Sequence, residues 1–548
     1  MKKRFNLTFI QLIIDQTKDF YLYYLFGIIF LFLTHKIQSD LPFMAKNLAD
    51  MIGKNDNQID YHLFLWYAVG IVIFRTSSRI LFFYPARVLQ KWLREELLDT
   101  ITVASPLRYK QYNSGQLFQY LTNDIDQIRA LIGFVGLQGG NFIIGILVLV
   151  PKLFSFNATL LWALIPMIIS FILFTIIVSR NREYFKKSAE AAGEIQNSII
   201  ESYIGKKTIK NFHAEAPFIE LFSKLSLKEL YYFYRSSIGL SITLPMIALG
   251  VGLSLLWGAH IIKVNQLGAS TLIVFSGFIF LFMEPLSYLS WIGVVVSRSS
   301  TSWKRLMDLN AILENKSTLE QEIEKLNADR DYRQIHLPFW HSTIDFDFQP
   351  KALNVLVART GHGKTHLLIM IAEVLKSKQQ KISVVFQSPY IYNDSIKNNI
   401  FLGNIPNQEQ INVAKNLLKL FGMNILESNL DKLLDLEVGE NGKRLSGGQQ
   451  KRLCLIRSIL ADADFILWDD PFSSVDLILE KEIISELKSS GVVNQKTIIL
   501  TSHRLSTVKN SDYVIYLDKE VGVIEAGDVT KVLQSSGKLN EYFQQQMV

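Results

Sequence analysis

The chain has a single cysteine, Cys454, in 548 residues. One thiol cannot close an intrachain disulfide and cannot build a thiolate metal cluster. Internal repeats and low-complexity tracts are also missing, which leaves out repeat arrays and compositionally biased tails. Acidic residues are in deficit: 57 Lys and Arg stand against 50 Asp and Glu, a formal charge of +7. A positive balance can mean nucleic acid. Here the cations gather in particular loops between apolar stretches, the distribution that membrane topology requires, so no nucleic-acid partner is expected. What the chain has in plenty is apolar surface. Hydrophobic residues make up 49% and mean hydropathy is +0.19, high for a soluble protein. The length allows two or more domains.

Six apolar stretches precede residue 300, at about 20–34, 61–84, 131–150, 158–179, 238–262 and 270–296. Each is near the length that crosses a bilayer. The first has a short apolar core, yet His35-Lys36-Ile37-Gln38 is no small-residue cleavage site, so it reads as a span and not a signal peptide. Lys2, Lys3 and Arg4 precede it; Arg87, Lys91, Arg94, Arg108, Lys110 and Arg129 lie between spans two and three; Arg180, Arg182, Lys186, Lys187, Lys206, Lys207 and Lys210 follow span four. Lys152 alone follows span three and Lys263 alone follows span five. The positive-inside rule puts both termini in the cytoplasm of a multi-pass protein of the cell membrane. No peptidase or binding domain is expected before span one, which removes one hint of peptide processing.

Residues 87–102 and 183–205 carry helical periodicity, so spans two to five are expected to continue as helices into the cytoplasm. Ser105-Pro106-Leu107-Arg108 and His213-Ala214-Glu215-Ala216-Pro217 read as sharp reversals and as contact points for the second half. Inside the spans, Arg75 and Arg79 share a helical face, and Glu284 precedes Pro285. These charges line a substrate route or form a structural pair. Pro245 and Pro285 are candidate kinks. Aromatic residues of this half, Trp257 and Trp291 among them, suit an interfacial belt as well as a ligand.

Past residue 296 the chain turns polar, with a charged amphipathic stretch at 304–326 expected as a connecting helix. From about residue 327 short strands alternate with helices, the pattern of an α/β domain. Residues 353–358 read as a buried strand, followed by Arg359-Thr360-Gly361-His362-Gly363-Lys364-Thr365-His366 and an apolar helix. This is the strand, loop and helix order of a P-loop. Its backbone N–H groups cradle phosphate, Lys364 reaches the β- and γ-phosphates, and the Thr365 hydroxyl holds Mg²⁺. The first glycine of the pattern is Ala358 here; if that position needs positive φ, its Cβ adds strain. Residues 465–469 form an apolar strand that ends in Asp469, expected beside the P-loop strand with its carboxylate in the Mg²⁺ shell.

Leu445-Ser446-Gly447-Gly448-Gln449, followed by Gln450-Lys451-Arg452 and lying between the P-loop and the Asp469 strand, resembles the signature sequence of the ATP-binding cassette (ABC) transporter family. The whole chain resembles an exporter-type half-transporter. That resemblance implies an all-α six-helix transmembrane domain at 1–312, a linker at 313–328 and an α/β P-loop NTPase domain at 329–548, with ATP and Mg²⁺ as ligands. It implies Gln387 as the Q-loop residue near Mg²⁺, Asp476 in the D-loop, His503 as the switch histidine, and Ser446, Gly447, Gly448 and Gln449 as contacts to nucleotide. Trp340 or Phe339 stands where an aromatic stacks on adenine. Glu437-Val438-Gly439-Glu440 resembles the stretch that meets the membrane domain, and the two proline turns look like coupling helices.

One departure bears on chemistry. Asp470 stands where the family carries the glutamate that polarises the attacking water. Its carboxylate is withdrawn by one methylene, about 1.5 Å, and general-base geometry tolerates such shifts poorly. The expectation is a slow or silent site in one subunit of a heterodimer, whose second half-transporter borrows this chain's signature. A homodimer with a working aspartate and an ATP-gated, channel-like protein are the alternatives. A soluble DNA-repair ATPase is disfavoured by six spans. The transported substrate is not legible; lipids, drugs, peptides and thiol compounds all fit.

Overall fold

The computed structural model describes the chain except residues 1–2, 54–60, 110–111, 113, 332–333, 340–341, 389, 535–536 and 548. It divides into two compact units: Met1–Thr102 with Tyr112–Ala311, and Val103–Gln111 with Ile312–Val548.

The first unit is helical. A short amphipathic helix, Phe9–Asp19, starts on a capping box in which Thr8 and Gln11 satisfy each other's backbone N–H. Among the described residues, six helical stretches are long and apolar enough to cross a membrane: Tyr21–Met51, His62–Val103, Gly115–Phe156, Ala158–Ile204, Pro245–Val264 and Thr271–Leu326, the last interrupted at residues 315–317. The first span is therefore longer than its apolar core. Its helix runs Tyr21–Gly53, through His35 to Gln38. His35 Nε2 lies 3.3 Å from Asn141 Oδ1, and Ser39 donates to the Lys36 carbonyl at 2.7 Å. The helices Ile165–Ile204 and Glu215–Val264 extend well past the apolar runs, as the periodicity indicates. Arg75 and Glu284 form an ion pair, as do Lys152 and Asp40. An apolar cluster of Leu149, Leu153, Leu160, Phe275, Phe278 and Ile279 fills the packing between spans.

Two local expectations need correction. The reversal near Pro217 is made by His213, at φ 51°, while Pro217 sits in the first turn of the helix Glu215–Val264, where a missing N–H costs nothing. The sixth helix does not end where the chain turns polar. It runs Thr271–Glu314, and a separate helix, Thr318–Leu326, follows on a Ser317–Glu320 capping box.

The second unit is α/β. Strands β1 (Gln334–Phe339) and β2 (Ser342–Asp347) form an antiparallel hairpin. The main sheet has the order β4-β5-β6-β3-β7-β8, from β3 (Leu353–Ala358), β4 (Ile382–Val385), β5 (Phe465–Trp468), β6 (Thr497–Thr501), β7 (Tyr513–Asp518) and β8 (Gly522–Asp528). All neighbours are parallel except β7 and β8. Every residue of β3, β5 and β6 is buried. Alternate residues point to two cores: Val355, Val357, Ile466, Trp468, Ile498 and Leu500 to one, Leu356, Ala358, Leu467 and Ile499 to the other. A parallel sheet covered on both faces needs continuous apolar strands, which is what these runs supply.

Candidate functional site

The parallel strands β4, β5, β6 and β3 all end at one edge, the edge where open α/β sheets bind ligands. Gln387, Asp469 with Asp470, His503 and the P-loop follow these four ends. The expectation that β5 lies beside the P-loop strand is incorrect: β6 intervenes. Asp469 still reaches the loop, because the helix after β3 crosses toward it. Thr365 donates its hydroxyl to Asp469 Oδ2 at 2.6 Å, across 104 residues of sequence.

The loop owes its shape to two glycines. Gly361 (φ 84°) and Gly363 (φ 76°) occupy the left-handed region. Ala358 does not; it is the last residue of β3, fully buried, and bears none of the strain its Cβ could have caused. Gly363 opens the helix Lys364–Ser377 without a side-chain cap, so the first-turn N–H groups are left for an anion. Lys364 curls back and donates to the Ala358 carbonyl at 2.6 Å. Burial pushes its ammonium down from the ordinary range, against the pull of Asp470 and Asp469. His362 Nδ1 lies 3.6 Å from Asp518 Oδ2, while Thr360 and His366 are exposed.

Asp469 is 3% exposed and accepts from two hydroxyls, Thr365 on Oδ2 and Thr501 on Oδ1 at 2.8 Å. Thr501 also accepts the backbone N–H of Asp470 at 2.8 Å. One threonine therefore sets both adjacent aspartates. Asp470 sits at φ 47°, and its Oδ1 lies 3.6 Å from His503 Nδ1. Gln387 is exposed just past β4. Trp340 lies outside the described residues, and the side chain of Phe339 does too.

The signature opens the helix Gly447–Leu460. Ser446 and Gln449 form its capping box: the Gln449 N–H donates to Ser446 Oγ at 3.3 Å, and the Ser446 N–H to Gln449 Oε1 at 2.7 Å. A Cβ on Gly448 would stand 2.8 Å from the Ser474 carbonyl oxygen, so only glycine fits there. Asp476 caps the helix Leu477–Ser489 by accepting from the N–H groups of Ile478 and Leu479. Arg504 holds this stretch from behind, donating to the Val475 carbonyl at 2.8 Å and to the buried Glu480 at 2.9 Å. In the stretch before the signature, Val438 is buried, and Glu440 pairs with Lys443.

Residues 103–111, carrying the first proline turn, belong to this unit. Pro106 begins a short helix, Ser105 donates to Glu373 on the P-loop helix at 2.6 Å, and Arg108 forks onto Glu320 at 2.8 Å and onto the Leu313 carbonyl at 2.5 Å. Burial raises the Glu320 carboxyl; the Arg108 fork and the Ser317 N–H outweigh it and hold the group below its ordinary value.

Lys364, Thr365, Asp469, Asp470 and His503, expected from the motifs, are thus brought together. The roles of Thr501, Arg504 and Glu480, and of Lys451, whose Nζ donates to the Asp470 carbonyl, were not anticipated. Thr501 had a signal, a hydroxyl at a strand end two residues before His503. Lys451 had one too, its place in Gln450-Lys451-Arg452 directly after the signature, which does not say what it holds.

Two families match the chain. That described as ABC transporter transmembrane region covers residues 24–286, and that described as ABC transporter covers residues 341–473. Together they take in well over half of it. Among curated relatives, the ATP-dependent lipid A-core flippase of Pectobacterium atrosepticum is 24% identical over 90% of this chain and 90% of its own. The multidrug resistance-like ATP-binding protein MdlA of Escherichia coli is 25% identical over 88% of this chain and 86% of its own. The probable multidrug resistance protein YheI of Bacillus subtilis is 23% identical over 97% and 96%. In fold, a bacterial Atm1-family ABC exporter solved with ATP bound superposes with a TM-score of 0.75 at 19% identity, covering 95% of this chain and 97% of that one. The chain belongs to the ABC transporter family: it is an exporter-type half-transporter, one membrane-spanning region joined to one ATP-binding domain whose hydrolysis of ATP is coupled to transport.

Proposed function

We propose that this half-transporter exports an amphiphile, of the lipid or multidrug kind named for its relatives, as the weakly hydrolysing subunit of a heterodimer. The observation that carries the reading is Asp470. A short carboxylate on a left-handed backbone, with His503 at 3.6 Å, has less reach toward an attacking water than a glutamate would have. The rest of the site is well formed, Ala358 included, so the weakness lies at this one residue.

In this reading the domains are residues 1–312, 313–328 and 329–548, and both termini and the nucleotide-binding domain are cytoplasmic. The P-loop glycines and the capless helix after them hold the phosphates. Lys364 leaves the Ala358 carbonyl for the β- and γ-phosphates. Thr365 and Asp469 present a hydroxyl and a carboxylate, a hard oxygen set that suits Mg²⁺, and Gln387 joins them as the sheet edge closes. Held there, Mg²⁺ would supply neutralisation of the charge on the phosphates. Asp470 orients water, and His503 fixes Asp470 and the γ-phosphate. Ser446, Gly447, Gly448 and Gln449 complete the partner's site.

In the membrane half, Arg75 is committed to Glu284 and His35 to Asn141. These pairs favour the structural reading of the intramembrane charges. The test is ATP turnover by the purified chain, alone and co-expressed with a second half-transporter that carries a glutamate after its strand-end aspartate. Low turnover alone and brisk turnover together fits a heterodimer. Brisk turnover alone that Asp470→Asn abolishes means a homodimer with a working aspartate.

A further inference from the structure

We propose that Lys451 is a positioning residue for hydrolysis: it clamps the Asp470 peptide and ties it to the helix that the signature opens. The proposal rests on reading Asp470 as the group that faces the attacking water.

Lys451 lies just past the first turn of the helix Gly447–Leu460 and is 3% exposed. Its Nζ donates to the Asp470 carbonyl and, at 3.0 Å, to Ser473 Oγ. Both partners are neutral oxygens. Burying an ammonium without a carboxylate bonded to it is costly, and an apolar residue would fill the space more cheaply. The head group is therefore there for what it holds.

It holds a strained peptide. Asp470 stands at φ 47°, a region that residues with a Cβ seldom enter. Its N–H is fixed on Thr501 and its carbonyl on Lys451, so the peptide groups on either side of its Cα are pinned. The position of a side chain with one methylene follows its backbone closely.

A second contact joins the same two elements. Gly448, one turn before Lys451, packs where a Cβ would meet the Ser474 carbonyl at 2.8 Å. The start of the signature helix thus rests on the 470–474 turn at two points, one steric and one charged. Displacement of that helix when Ser446 and Gly447 engage a phosphate is passed to Asp470 through a single side chain. In a dimer in which the signature serves the partner's nucleotide, this links one site to the carboxylate of the other.

The experiment uses the full chain in nanodiscs, in an Asp470→Glu background that makes this site's turnover measurable. Lys451→Met keeps the stem and removes the head; Lys451→Gln keeps a donor. Lys451→Met should lower kcat at least about fivefold with KM for Mg·ATP within about twofold. Lys451→Gln should retain at least about twice the turnover of Lys451→Met. A smaller fall in kcat, a loss carried by KM, or equal turnover in the two variants overturns the clamp. Should Asp470→Glu show no hydrolysis at all, the reading of Asp470 fails separately and melting decides the clamp. Lys451→Met should then lower Tm by about 4 °C in the parent and by less than half of that in Asp470→Gly, which relieves the positive φ. Equal losses in both would overturn it.

Discussion

Asp470 Oδ1 and His503 Nδ1 face each other at 3.6 Å, from the ends of the neighbouring strands β5 and β6. The separation is just beyond a hydrogen bond. One added methylene would carry the carboxylate past the ring toward the phosphate edge. Asp470→Glu should therefore raise hydrolysis at this site, by about tenfold. His503→Ala in that background should return it to about the parent level. Phosphate release by the purified chain reads both, and no gain in Asp470→Glu places the defect elsewhere.

Thr365→Val removes the hydroxyl that donates to Asp469 at 2.6 Å and keeps the shape of the side chain. Asp469 retains Thr501, so the fold should hold, with a change in stability of about 1 kcal/mol. Mg·ATP affinity should fall about tenfold, and binding should lose most of its response to added Mg²⁺. Nucleotide titrations with and without chelator check this; an unchanged Mg²⁺ response would remove Thr365 from the metal's surroundings.

The two signature glycines should behave differently. Gly447 has open space where a Cβ would stand, while Gly448 would meet the Ser474 carbonyl at 2.8 Å. Gly448→Ala should cost about 1–3 kcal/mol of stability through that clash. Gly447→Ala should leave Tm unchanged and act only on nucleotide closure. Parallel melting curves with and without Mg·ATP separate the two effects.

Arg108→Ala strips the guanidinium from Glu320, a side chain only 6% exposed. The cytoplasmic unit should lose about 3 kcal/mol. Because the Glu320 carboxyl is held below its ordinary value in the folded protein, its contribution is complete above the ordinary glutamate range. It is lost as pH falls through the lowered folded value. The parent should therefore resist acid to lower pH than Arg108→Ala, and the gap between their Tm values should narrow on acidification. A pH series of melting curves reads it.

Much of the site was legible because its chemistry comes in contiguous runs. The P-loop, the Asp469 strand end and Leu445–Gln449 each announce a strand, turn or helix start by residue type alone. What escaped depends on pairing across the chain. Sheet order is one case: nothing in residues 465–469 says that β6 inserts between them and β3. Thr501 and Lys451 are another, since their roles appear only when β6 and the signature helix lie against the turn after β5. The helix boundaries in the membrane half escaped for a different reason. Apolar runs mark where lipid contact ends, whereas the helix ends where its backbone loses partners, as at Glu314 well beyond residue 296.

Ala358 closes a strand, and the left-handed turns belong to Gly361 and Gly363. A pattern search that insists on glycine at the head of the G-x-x-x-x-G-K-[ST] string would pass over this chain, although both left-handed glycines of the loop come after that position. Relaxing that one letter to any small residue able to end a buried strand recovers such proteins without loosening the part of the string that geometry dictates.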